Sequence, residues 1–484
     1  MKVGLSAVFA VRRIDLPSIG AIDMTSCAGS ILWVLWFTVF LALSPGVTFA
    51  EESDEDPKGG KLSLMTVAPF LTPISDYRGG LLERTTLFGD PGGYRQELYE
   101  KGIAADFGLT QVPQGVVSGG TDKDWEYGAS ADYSLFLDSG RLGLWPGGLV
   151  GIHAESKFGG SVLSQAGSVS PVNGDFLWPE PGEKNKTFLS EYYLYQGVTE
   201  WMTVLAGRMN WVALADRNSF ANNERTQFMN MSLRNTPLLG AFVPLSAHGV
   251  AVTLQPHPHV AVTTVAVSQN DEPGEYGSPG GLFDEVTLAV EVDLSWEIGG
   301  LPGAFRPAFA WGSKDLGLEN QYFNPTPLVD LILLTGGRKD DNWLLNLNFE
   351  QYLYKPEPTS QLKTADFLAN PEGIGVFLRF AYSPEDRNPW NQYVSGGIGG
   401  RGLIPGRPND RYGIGFYAMI ESNDFNGQLP VLGSGIETEW GMEIFYNIAI
   451  TPWLQLTPDF QYIDSGIAGV NEAVVLAARV QINF

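Results

Sequence analysis

The last eleven residues, Val474 to Phe484, alternate with period two. Val474, Leu476, Ala478, Val480, Ile482 and Phe484 share one face, and Arg479, Gln481 and Asn483 occupy the other. Successive strand side chains point to opposite faces, so this pattern marks a strand whose two faces meet different solvents. Val475 and Ala477 interrupt the polar face. The preceding segment repeats the alternation, with Leu454, Leu456, Phe460 and Tyr462 against Gln455, Thr457, Asp459 and Gln461. Before it, Ile436, Trp440, Met442, Ile444, Tyr446 and Ile448 stand against Glu437, Glu439, Glu443 and Asn447. Working backwards, similar segments begin near residues 410, 391, 373, 342, 302, 285, 259, 249, 201, 187, 147, 125 and 101, so the pattern predicts sixteen strands. An eleven-residue strand at roughly 3.3 Å per residue is about 36 Å long and, tilted by about 40°, crosses roughly 28 Å. That length suits the apolar band, about 25 Å tall, of a transmembrane β-barrel.

A soluble β-sandwich also alternates. Two features favour the membrane barrel. Aromatic residues gather near the strand ends, as at Trp440, Tyr446, Trp453, Tyr462 and Phe484, which is how an interfacial girdle reads. Connections also alternate between tight, as at Ala449 to Pro452, and extended, as at Met209 to Ala247 and Glu421 to Gly435. The predicted fold is an all-β, sixteen-stranded antiparallel transmembrane barrel over 101–484. Residues 51–100 form an acidic tail, Glu51 to Lys61, followed by a short helix near Gly92 to Lys101 at the periplasmic mouth.

Residues 1–50 read as a signal peptide. The apolar run Ile31 to Leu43 is too short to span a bilayer as a helix, Lys2, Arg12 and Arg13 precede it, and Thr48-Phe49-Ala50 supplies the small residues of a cleavage site. Met24 is the alternative start. The single cysteine, Cys27, departs with the leader, so the exported chain forms no disulfide. With 30 Lys+Arg against 54 Asp+Glu the net charge is −24, which excludes a phosphate-backbone partner such as nucleic acid.

Several blocks resemble OprB-type carbohydrate-selective porins of Gram-negative outer membranes. Leu87-Phe88-Gly89-Asp90-Pro91-Gly92-Gly93-Tyr94-Arg95 with Leu98 resembles the family's opening segment, although Pro91 stands where the family usually has Trp. Gly119-Gly120, Asp216 to Ala221 after Gly207-Arg208, Gly373 to Phe380, and Pro405 to Asp410 follow in order. The longest block is Glu443 to Ile463. The resemblance implies a sixteen-stranded porin that passes monosaccharides such as glucose, forms homotrimers, sits in outer-membrane lipid and folds its long loops into the lumen.

Selecting a sugar needs a constriction whose groups replace the water shed by a hydroxylated solute. Alternation places His153, Glu155, Lys157, Glu191, Glu291, Asp293, Glu350, Arg379, Arg411, Glu437, Glu439 and Glu443 on the lumen face. Opposed Arg, Lys and Glu can form ladders that bind hydroxyl pairs. The ordinary role of any one of them is a solvated wall charge. The loops offer Trp178, Trp211, Asp216, Arg217 and Phe220, either for stacking on sugars or for packing against the wall. An acidic wall is expected to disfavour anions such as sugar phosphates. The inward glycines Gly128, Gly375, Gly413, Gly415 and Gly441 suggest open space or barrel bends.

An enzyme is the competing class, and a general diffusion pore or a plugged barrel would share the fold. Carboxylates are too abundant for any pair to be informative, and no G-x-S-x-G, H-E-x-x-H or phosphate-loop pattern occurs. His257-Pro258-His259 offers only two ligands, so no metal or cofactor is expected.

Overall fold

The computed structural model describes residues 77–176, 185–271, 281–313, 341–356, 372–402, 404–423 and 435–484. The expected leader and acidic tail lie outside them. Sixteen strands follow in sequence: β1 Ile103–Gly120, β2 Trp125–Asp138, β3 Gly148–Gly159, β4 Asn185–Thr199, β5 Met202–Met209, β6 Ala247–His257, β7 Val260–Ser268 and β8 Val286–Ile298. They continue with β9 Leu301–Gly312, β10 Asn342–Tyr354, β11 Gly373–Tyr382, β12 Trp390–Arg401, β13 Arg411–Glu421, β14 Glu439–Thr451, β15 Leu454–Asp464 and β16 Asn471–Asn483. Each pairs with its sequence neighbours, and β1 pairs with β16 from Gly108 opposite Asn483 to Gly120 opposite Asn471, so the barrel is closed. Closure leaves no sheet edge, which is what lets strands cross an apolar solvent in which an unpaired backbone group costs several kcal/mol.

Tight connections at 200–201, 258–259, 299–300 and 452–453 lie at one end, and the long ones at 160–184 (loop 2) and 210–246 (loop 3) lie at the other. Near the tight end, helix α1 (Tyr94–Glu100) precedes β1. Pro91 opens a short 3-10 turn, and Asp90 Oδ1 accepts the Arg95 backbone N–H at 2.9 Å, so the helix is capped without the family's tryptophan. Arg95 Nη1 donates to the Phe484 carbonyl at 3.1 Å, and the Phe484 ring stacks on Phe107 at 4.8 Å. The start of the described chain and its last residue therefore hold each other.

Outward faces carry the expected apolar belt, with Tyr127, Tyr133, Tyr192, Phe309, Phe380, Phe416, Trp440 and Leu476 exposed. The hydrophobic core lies inside the barrel. Loop 3 carries α3 (Trp211–Ala215) and α4 (Met231–Arg234), and its Phe220, Phe228, Leu233 and Phe242 pack against Phe377, Tyr393, Tyr417 and Phe445 of the wall. Loop 2 carries α2 (Leu163–Ala166), and its Val162 and Val172 cluster with Val475 and Ile463. Val475 and Ala477 thus break the polar alternation because loop side chains, not water, cover them.

The inward glycines do not leave open space. A Cβ on Gly375 would lie 2.2 Å from the Phe220 ring, one on Gly413 2.8 Å from the Phe228 ring, and one on Gly415 2.8 Å from Leu233. Gly441 is covered by Tyr417, and Gly128 pairs with Gly159 across β2 and β3. On this side of the barrel, missing side chains are sockets for the loop.

Candidate functional site

With loop 3 docked on one side, a cavity of about 990 Å³ lies on the other. Register builds its first wall. Asp132 on β2 stands opposite Glu155 on β3, and His153 stands opposite Glu191 on β4. Like charges directly opposite repel, and Lys157, Arg225 and the His153 imidazole partner them. Lys157 Nζ lies 2.9 Å from Glu155 and 2.9 Å from Asp175 of loop 2. Arg225 of loop 3 reaches Asp132 at 2.6 Å, and His153 sits 3.0 Å from Asp132 and 3.3 Å from Glu191. Burial by itself would raise the Asp175 carboxyl, but the Lys157 ammonium and the Arg225 guanidinium overturn that and hold it well below the usual carboxylate range. Burial likewise pulls the Arg225 guanidinium down, and Asp132 and Asp175 more than reverse it.

The second wall is centred on Arg306 of β9. Its Nε lies 2.9 Å from Asp293 and its Nη2 3.1 Å from Glu350. Arg217 of loop 3 approaches Asp293 at 3.3 Å, and Ser219 donates its backbone N–H to Glu350 at 2.6 Å. Loop 3 therefore presents Arg217 to one wall and Arg225 to the other, and the cavity runs between them.

Seven of the expected residues border this cavity: His153, Glu155, Lys157, Glu191, Glu350, Arg411 and Arg217. Others are placed differently. Arg379 is inward but 0% exposed, paired with Asp216 at 3.2 Å and donating to the Leu233 carbonyl at 2.8 Å, so it anchors loop 3 and touches no channel water. Glu439, also fully buried, accepts the Val169 and Ser170 backbone N–H groups of loop 2 at 2.6 and 3.1 Å. Glu443 does the same for Met229 and Asn230 of loop 3 at 2.6 and 2.8 Å. Glu437 is exposed and precedes β14. Trp211 packs on the wall and donates Nε1–H to the Ala247 carbonyl at 2.7 Å, Phe220 fills its glycine socket, and Glu291 borders a separate cavity. Trp178 lies outside the described residues.

Sequence reading missed Asp132, Arg306, Asp175 and Arg225. The first two were recoverable, since Ser130, Asp132 and Ser134 on β2 and Ala304, Arg306 and Ala308 on β9 are in phase with inward neighbours. The loop pair carried no such signal.

The expected acidic wall carries cations among its carboxylates. Glu155, Asp175, Glu191, Glu224, Glu297 and Glu350 border the cavity together with Lys157, Arg217, Arg225, Arg234, Arg306 and Arg411, and Asp132 and Asp293 add two further wall carboxylates paired with Arg225 and Arg306, so the carboxylates are interleaved with cations. His153 groups with Asp132 and Glu155 in a way that could hold a metal ion, but Arg225 and Lys157 already pair with both carboxylates.

Comparison with known proteins places this geometry. Residues 122–484 match the family described as carbohydrate-selective porin, OprB family. Porin B of Pseudomonas aeruginosa is 23% identical over 439 residues, covering 82% of this chain and 91% of that protein. The high-pH structure of Pseudomonas putida OprB superposes with a TM-score of 0.67 at 21% identity, covering 84% of this chain and 100% of that one. The low-pH structure of the same protein gives 0.50 at 18% identity, over 83% and 99%.

Proposed function

The chain belongs to the OprB family of carbohydrate-selective porins, and from that premise we propose that it carries neutral monosaccharides such as glucose passively across the Gram-negative outer membrane. Its relatives are channels and not enzymes. The single observation that carries the monosaccharide reading is a cavity walled by paired opposite charges, with His153, Glu155 and Lys157 on one side and Arg217 and Arg306 on the other. Paired opposite charges offer donors and acceptors side by side, which suits vicinal hydroxyls, while their fields largely cancel and give an ion little net attraction. Groups held by one another rather than by the solute also release it readily, as transport requires. The channel-bordering residues named above are the proposed sugar contacts.

Liposome swelling with purified protein tests the reading, comparing glucose with an amino acid of similar size and with a disaccharide. Faster entry of glucose is expected. Equal rates for solutes of equal size would make the barrel a general diffusion pore and overturn the selectivity. A homotrimer in outer-membrane lipid, delivered by cleavage after Ala50, completes the proposal. Native mass spectrometry from detergent checks the assembly, and amino-terminal sequencing of the mature chain checks the cleavage.

A further inference from the structure

Beside the channel the lumen holds a second cavity, of about 440 Å³, that a monosaccharide constriction does not require. Strand side chains Leu205, Val265, Ala289 and Leu344 line it together with Trp211 and Leu239 of loop 3. A water-filled barrel lumen is ordinarily lined by polar side chains. Here Val265 and Ala289 are only partly buried, so their apolar surface faces a space that none of the described residues fills.

The cavity adjoins the channel: Arg217 and Arg306 border both. Its rim is polar and balanced: the two guanidiniums face Asp293 at 3.3 and 2.9 Å, with Glu291 3.9 Å from Arg217. A largely apolar floor beneath such a rim suits a solute that is apolar at one end and hydroxylated but uncharged at the other. The volume falls within the roughly 300 to 1,000 Å³ of small-molecule pockets.

We propose that this cavity receives the apolar group of a neutral glycoside, an aryl or short alkyl aglycone, while its sugar ring sits at Arg217, Asp293 and Arg306. The inference rests on the reading of the channel as sugar-conducting and extends its solutes from free sugars to glycosides. A free hydrocarbon would leave the rim groups without hydroxyl partners, and a charged aglycone would lose its hydration on the apolar floor.

The test is current blockage in planar bilayers containing the full protein, comparing phenyl β-glucoside with methyl β-glucoside, which share one sugar. The phenyl glucoside is expected to dwell about tenfold longer or more, since its ring leaves water for the floor. Ala289→Trp, which fills the cavity, and Val265→Asn, which makes the floor polar at nearly constant volume, should each abolish that difference without altering methyl glucoside blockage. Equal dwell times in the unmodified protein would overturn the aglycone pocket while leaving sugar conduction standing. A difference that survives both substitutions would overturn its location. Blockage by neither glucoside would overturn the sugar reading itself.

Discussion

The inner wall of this barrel has two halves that use the same residue types in opposite ways. From β10 to β16, inward charges such as Arg379, Glu439, Glu443 and Arg479 are fully buried and bond mainly to loop backbone: Arg479, for example, donates to the Glu224 and Gln227 carbonyls at 2.6 and 2.9 Å. On β2 to β4 and β8 to β9, His153, Glu155, Glu191 and Arg306 bond to other charged side chains and border the channel. A charge that serves the loop is satisfied largely by peptide groups and a charge that serves the channel largely by an opposite charge, with Arg379, paired to Asp216, and Glu350, which also accepts the Ser219 N–H, combining the two. The partner, and not the residue type, separates a rivet from a channel wall.

The largest disturbance should come from the docked half. Arg379→Ala leaves Asp216 buried without its guanidinium, and breaking a fully buried pair from one side costs about 3–5 kcal/mol. Loop 3 should release, raising single-channel conductance and erasing discrimination between glucose and solutes of equal size. Unchanged conductance would show that the hydrophobic packing of loop 3 holds it unaided. Glu443→Gln should weaken the same loop by about 1–3 kcal/mol, because the Met229 and Asn230 N–H groups each bond one carboxyl oxygen and the amide keeps only one. Faster hydrogen exchange at those two amides is the readout.

Gly415→Val tests the sockets. The added side chain meets Leu233 and Phe228, so overpacking of about 1–3 kcal/mol is expected, visible as a lower thermal midpoint with the strand circular dichroism preserved.

The contact between loop 2 and the channel wall gives a pH signature. Asp175 has a depressed folded value, so its contribution is fully present above its unfolded value of about 3.9 and is lost only as pH falls through the lower folded one. Conductance should therefore be insensitive to this group between pH 7 and 4, and Asp175→Asn should lower stability across that whole range. The smallest stability effect belongs to the open half. Glu191→Gln removes one partly exposed contact with His153 at 3.3 Å and should change stability by about 0.5 kcal/mol or less, while shifting the cation-to-anion permeability ratio measured from reversal potentials. A large drop in stability there would erase the distinction between the halves.

Much of this was legible in the residues. Alternation located sixteen strands because a strand that separates lipid from lumen must switch polarity at every residue, and tight turns against long connections ordered the two ends. The interruptions at Val475 and Ala477 were legible as exceptions, but their cause was not.

Alternation is local and one-dimensional, and it reports only that a side chain points away from lipid. Glu155 and Glu443 look alike on that measure, yet one borders the channel and the other is capped by backbone 214 positions away. The sequence by itself therefore determined the barrel, its lipid face and which face of each strand turns inward. Only the tertiary structure decided which inward residues meet water, because desolvation depends on where loops 2 and 3 come to rest. The same folding turned inward glycines into sockets and paired the channel's carboxylates with cations.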